Sequence, residues 1–267
     1  MSGWNATKKR PIKKQITEGL FEYIKETNPG KVFKCFLCLP STKATDVEEA
    51  LKQGVIDLDT KIIAIEKKPE FLLKLKLRLT KLGFGPKSRV VINKDLCDVN
   101  TGNLIDACKE LDVDSIDLFY IDTCNCLVNC LQGWIEHVAS NDLIASKNRV
   151  VVTNVLAARA TWDLQKYTDY EITKWVGDGL TGGSIKNKWA AKIASCLAEK
   201  TGMPTGLTIG YKEENVATPM VLCVNGLYDF DGDVQWCDSS VKASYQLQNL
   251  GYKSSLSSTL RNRVIYN

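Results

Sequence analysis

Residues 61–66 read KIIAIE, a lysine, four consecutive apolar residues and an acid. An unbroken apolar run this short, bounded by charge, reads as a strand covered on both faces. The same pattern recurs on either side of it. Upstream, residues 32–39 (VFKCFLCL) form a buried strand, Pro40-Ser41-Thr42 a turn, and residues 46–53 a short helix closed by Gly54. Downstream come strands over residues 89–92, 116–121 and 149–155, the first followed by Asp95 and the second by Asp122.

The segments between these strands read as helices. Residues 104–111 and 127–139 carry helical patterns, and Pro11 opens a helix whose face is Ile12, Ile16, Leu20, Tyr23 and Ile24, ended by Asn28-Pro29-Gly30. Residues 69–82 support two readings. Leu73, Leu75, Leu77 and Leu79 alternate with polar residues as in a strand, while Leu72, Leu75, Leu79 and Leu82 lie on one helical face between Pro69 and Gly83. Helix is preferred, because parallel strands need a crossover there. Strands alternating with helices predict an α/β fold with a doubly wound, mostly parallel sheet and helices on both faces. Residues 207–211 and 220–224, joined by the charged loop 212–218, read as a terminal antiparallel hairpin.

The expected organisation is a basic lead-in and helix over residues 1–30, a Rossmann-like domain over 31–230, and a helical tail over 231–267. Residues 177–183 (GDGLTGG) read as a loop. The tail carries a helical stretch at 241–250, Gly251, and a second at 255–263. That layout loosely resembles a helix-turn-helix, with Ser, Thr and Arg on the second helix; docking of Leu256, Leu260 and Val264 on the main domain is the other reading.

Composition narrows the function classes. Hydrophobic content of 44% and charged content of 25% suit a globular chain. No stretch approaches the roughly 18 uncharged apolar residues of a membrane helix. Residues 1–14 are basic with no apolar run behind them, so no secretory signal and a cytoplasmic location are expected. Ten cysteines include C-x-x-C at Cys35 and Cys38, but residues three apart on a strand face opposite ways, so structural thiols are expected and no metal. A single histidine, His137, excludes two-histidine metal sites. No G-x-G-x-x-G follows the first strand and no G-x-x-x-x-G-K-[ST] occurs, which argues against dinucleotide and phosphate-loop enzymes. Residues 61–94 hold ten Lys or Arg against Glu66 and Glu70, a distribution suited to a nucleic acid or simply to a solvated helix face.

In an open parallel sheet, ligands bind beyond the carboxyl ends of the strands. The residues there are Leu39, Pro40, Ser41 and Thr42 after the first strand, Glu66 after the second, Asp95 and Leu96 after the third, and Asp122 after the fourth. Acids can also cap the next helix, a reading that applies above all to Asp46 and Asp95.

The arrangement over residues 31–226 resembles the class I S-adenosylmethionine-dependent methyltransferases. The resemblance implies S-adenosylmethionine as cofactor, with Glu66 on the ribose, Asp95 and Leu96 near the adenine, residues 39–42 lining the first loop, and Asp122 bordering both donor and acceptor as the candidate catalytic residue. Two departures stand out. The first loop, LPSTKAT, lacks the family's glycines, which suggests a divergent, viral-type lineage and leaves Glu48 or Glu49 to reach the ligand; and Asp122-Thr123-Cys124-Asn125 replaces the adenine-N6 signature. The alternative is a non-catalytic Rossmann-like protein that binds nucleic acid or protein and has lost the cofactor.

Overall fold

The computed structural model describes residues 11–126, 145–156, 205–211, 220–226 and 248–249. Its elements are α1 (Pro11–Thr27), β1 (Cys35–Cys38), α2 (Thr45–Lys52), β2 (Lys61–Ile65), α3 (Pro69–Lys81), β3 (Arg89–Ile92), α4 (Thr101–Leu111), β4 (Ile116–Cys126), β5 (Ala145–Leu156), β6 (Thr205–Tyr211), β7 (Met220–Asn225) and β8 (Gln248–Asn249). The readings placed on residues 127–139, 177–183 and 255–263 lie outside the described residues.

One sheet holds all eight strands in the order β3-β2-β1-β4-β5-β7-β6-β8. Strands β1 to β5 pair in parallel, whereas β7 runs antiparallel to both β5 and β6. The expected hairpin is therefore present, with its second strand inserted between β5 and the first. From β1 the chain winds outward through β2 to β3, then returns to β4 on the other side of β1. That reversal opens a crevice at the carboxyl ends of β1 and β4.

Two cores cover the two faces. On one, Leu20, Phe21 and Ile24 of α1, Val47 and Ala50 of α2, and Leu75 and Leu79 of α3 pack on Phe36, Ile62 and Tyr120. Phe21 meets Phe36 edge-on at 6.2 Å and Tyr120 at 5.7 Å. On the other, Leu104, Ala107, Cys108 and Leu111 of α4 cover Leu37, Ile63 and Phe119. Cys38 belongs to the first core and Cys35 to the second, as strand alternation predicts for C-x-x-C. Burial pushes both thiols well above their ordinary range and lifts Cys108 to about 11, which makes them inert packing groups. Cys97 departs from the expectation of thiols throughout, because it is disulfide-bonded.

The ambiguous leucine-rich segment is helix α3. Leu75 and Leu79 are buried while Leu73 and Leu77 are exposed, so the apparent alternation is two i,i+4 pairs on opposite faces. Strand β1 is shorter than its apolar run for a definite reason. The N–H groups of Lys34 and Cys35 donate to the Asp117 carboxylate at 3.0 and 2.9 Å, so a side chain replaces the ladder where the strand would begin. Helix α4 begins at a capping box between Asn100 and Asn103.

The tail reading needs a correction. Gln248 and Asn249, placed in a helix by their sequence, form β8, paired antiparallel with Leu207 and Thr208 of β6. An open strand edge offers unpaired ladder groups, which outweigh a weak local helical preference. No helix among the described residues is long and apolar enough to cross a membrane.

Candidate functional site

The sheet register places the candidate residues with respect to one another. Cys38, the last residue of β1, pairs with Ala64 of β2 on one side and Tyr120 of β4 on the other. Pro40, Glu66 and Asp122 each lie two residues beyond that shared rung. Glu66 and Asp122 thus flank the end of β1, with backbones separated by two strand spacings, roughly 10 Å. The first loop rises between them.

Glu66 continues the ladder, its N–H donating to the Ile92 carbonyl at 3.1 Å. Its carbonyl accepts from Asn93 Nδ2 at 2.8 Å, and its Oε1 accepts from the Lys68 N–H at 2.8 Å. Lys68 is the residue that precedes α3, so one carboxylate oxygen organises the turn into that helix.

Asp95 is more fully engaged. Its Oδ1 accepts from the Cys97 N–H at 3.2 Å, capping a single 3-10 turn at Leu96–Asp98, and its Oδ2 meets Lys67 Nζ at 3.3 Å. The capping role considered for this residue is the one it occupies. Leu96 is buried in the α4-side core.

Asp122 is not at the end of its strand. β4 runs on to Cys126, and Asp122 pairs with Asn154 of β5 before the register slips between Asp122 and Cys126. Asn154 is buried, and its Nδ2 donates to Asp122 Oδ1 at 3.3 Å. The Thr123 hydroxyl reaches the Asn154 carbonyl at 3.5 Å. The pairing of β1 with β4 reaches Tyr120, two residues before Asp122. Asn154 stands in the sequence as an amide near the end of a valine-rich strand, and it belongs with the candidate residues.

The first loop is ordered by bonds. Pro40 and Ala44 are buried, Leu39 and Thr42 half-buried, and Ser41 and Lys43 exposed. Ala44 takes the left-handed conformation (φ 45°, ψ 46°) that usually favours glycine. Its N–H donates to the Ser41 carbonyl at 2.8 Å and its carbonyl accepts from the Glu48 N–H at 3.0 Å. From α3, Arg78 Nε donates to the Lys43 carbonyl at 2.9 Å, and its Nη2 meets Glu48 Oε2 at 2.7 Å. Glu49 is buried and accepts from Gln53 Nε2 at 2.8 Å. Glu49 is thus bonded within the protein, while Glu48, paired with Arg78 through one oxygen, keeps an exposed side chain.

The basic segment divides in the same way. Arg78 holds the first loop, and Arg89 Nη1 donates to the Thr80 hydroxyl at 2.7 Å and to the Phe84 carbonyl. Lys67, Lys68, Lys74, Lys76, Lys81, Lys87 and Lys94 are exposed.

The donor set suits a cationic, hydroxyl-bearing ligand. Carboxylates on both sides of one crevice accept hydrogen bonds from hydroxyls and attract positive charge. Among the described residues, no group of three or more Cys, His, Asp or Glu could hold a metal ion.

This sheet order, with an antiparallel seventh strand between the fifth and sixth, is a Rossmann-like α/β fold. The methyltransferase subunit of a type I restriction-modification system from Streptococcus thermophilus superposes with a TM-score of 0.51 at 9% identity, over 81% of this chain and 44% of that one. An O-methyltransferase from Bacillus cereus, solved with SAH, gives 0.49 at 8% identity over 83% and 84% of the two chains. TomG from Streptomyces achromogenes, an O-methyltransferase solved with SAM, gives 0.44 at 9% identity over 80% and 79%. At such identities the likeness concerns the fold. No family model and no curated protein matches the sequence.

Proposed function

We propose that the chain is an S-adenosylmethionine-dependent methyltransferase whose donor lies in the crevice between β1 and β4. The observation that carries this reading is the matched position of Glu66 and Asp122, each two residues beyond the Cys38 rung on either side of the strand reversal. When bound, the cofactor supplies an already activated methyl group. What the chain must add is alignment and a proton acceptor. Glu66 accepts ribose hydroxyls. Asp122, oriented by Asn154, accepts a proton or a hydrogen bond from the acceptor nucleophile. Residues 39–42 form the wall between them, and Leu96 with Asp95 borders the adenine.

A nucleic-acid acceptor is part of the proposal. The exposed lysines of the 61–94 segment begin at the mouth of the crevice and continue along α3, a path that suits a phosphate backbone. A second reading, a Rossmann-like binding protein without cofactor, draws support from the glycine-free first loop and from the full engagement of Asp95.

Calorimetric titration with S-adenosylhomocysteine separates the two. Saturable binding that Glu66→Ala and Asp122→Ala each weaken tenfold or more, about 1.4 kcal/mol, supports the enzyme reading. It also justifies methyl-transfer assays on DNA and RNA over a salt series. Folded wild-type protein that binds neither S-adenosylhomocysteine nor S-adenosylmethionine refutes it and leaves the binding protein.

A further inference from the structure

We infer that Arg78 is a positioning residue that sets the shape of the first loop, doing by side-chain bonding what glycines do elsewhere by conformational freedom. The inference rests on the proposed activity in that it assigns this loop to the cofactor wall. A tight turn from a strand into a helix beside a ligand needs at least one peptide held in an unusual orientation. Here that peptide joins Lys43 to Ala44, the only described non-glycine residue besides Asp112 with positive φ. A buried alanine in the left-handed region is disfavoured by its own Cβ, so something outside the loop must hold it.

Arg78 is the group in position to do so. Its side chain crosses from the third turn of α3 and donates through two different nitrogens to two different targets. Nε takes the Lys43 carbonyl, which is the oxygen of the strained peptide itself. Nη2 takes Glu48, one turn into α2. The planar guanidinium fixes the angle between those two bonds, so the loop and the start of α2 are held as one unit. The bonds of Arg78 go to Lys43 and Glu48, and its effect passes through the Lys43–Ala44 peptide to Thr42, Ser41 and Pro40. Lysine reproduces this poorly, because its three N–H groups share one nitrogen on a flexible stem and fix no angle between the two bonds.

The test uses the full-length protein with Arg78→Ala, Arg78→Lys and Glu48→Gln, read by S-adenosylhomocysteine titration and by amide hydrogen exchange at Ala44 and Glu48 in the free protein. Arg78→Ala is expected to weaken binding about tenfold, as freeing a backbone unit does, and to accelerate exchange at both amides. Glu48→Gln keeps the bond to the Lys43 carbonyl and is expected to keep both affinity and protection, with Arg78→Lys falling between. If Glu48→Gln loses as much as Arg78→Ala, the contact is only an α2–α3 tie and the inference is overturned. Wild-type affinity in Arg78→Ala overturns it equally. Should the wild-type protein bind no S-adenosylhomocysteine, the proposed activity fails while exchange still decides the inference: unchanged protection at Ala44 in Arg78→Ala sinks it. Should Arg78→Ala fail to fold, Arg78→Lys takes its place, and wild-type exchange and affinity in that variant overturn the inference.

Discussion

Asp117 is where one side chain holds together the strand pair that forms the crevice. Its carboxylate accepts the N–H groups of Lys34 and Cys35 across 83 and 82 residues of sequence, and Cys35 is fully buried. Replacing it with alanine removes both acceptors and leaves at least one buried N–H without a partner, at roughly 1–3 kcal/mol for each such group. Part of this is returned, because the carboxylate itself is poorly solvated in the fold. Burial lifts its pKa above the ordinary 3.8 despite the two N–H bonds and the nearby Lys31. A raised pKa means that the folded state holds the proton more tightly than the unfolded chain. This linkage contribution is fully present below pH 3.8 and is lost as the pH rises through the folded value. At neutral pH the paired acceptor geometry is therefore the stabilising feature, and the charge works against it. We expect Asp117→Ala to lower stability by about 2–4 kcal/mol in urea unfolding at pH 7. Asp117→Asn, which keeps one acceptor oxygen, should cost less. An alanine variant within about 0.5 kcal/mol of wild type, the range of an ordinary surface change, contradicts this account of Asp117, as does an asparagine variant worse than alanine.

Further consequences can be checked separately. Ala44→Val puts a β-branched residue in a buried left-handed position and should destabilise by about 2 kcal/mol or more, whereas Ala44→Gly should stay within about 1 kcal/mol of wild type, both by urea titration. Asn100→Ala removes half of the α4 capping box and should cost about 1 kcal/mol in the same assay. Leu73→Glu with Leu77→Glu alters only the exposed face of α3 and should leave stability within about 0.5 kcal/mol. Cys35 and Cys38 should resist alkylation in the native protein and react only at the rate of unfolding, as followed by mass spectrometry.

The fold was legible because its strands are buried on both faces and its crossovers are short. KIIAIE at 61–66 and FYID at 119–122 each end an apolar run in an acid, and both acids fall beyond the end of β1. Elsewhere local pattern was a weaker guide. The odd-numbered leucines of α3 mimic a strand because two of them pack and two face water. Gln248 and Asn249 follow the edge of β6 rather than the helical pattern of the sequence around them. The continuation of β4 past Asp122 depends on pairing with Asn154 and Leu156, about thirty residues on. Asp117 and Arg78 gave no signal at all. Their partners lie far away in sequence, and an isolated charge beside an apolar run looks the same whether it faces water or another strand.

The glycine-free loop bears on function less simply than its composition suggests. Glycine serves such a loop by permitting positive φ and by removing a Cβ where backbone and ligand approach closely. The first need is met here by Ala44, held from both sides of its peptide plane by Ser41, Glu48 and Arg78. The second need is local to whichever residues face the crevice, and Pro40 lies level with Glu66 and Asp122, two residues beyond the Cys38 rung. Proline has a Cβ but no N–H, so it leaves no unsatisfied donor there, and Pro40 is buried. A loop built this way is stiffer than a glycine loop, and its fit must be correct before the ligand arrives. Binding should therefore show little loop ordering: amide exchange at Ala44 should be slow already in the free protein and change little on saturation with S-adenosylhomocysteine. Large protection gained on binding contradicts a preformed wall, and would mean that Arg78 merely tethers a loop that the ligand reshapes.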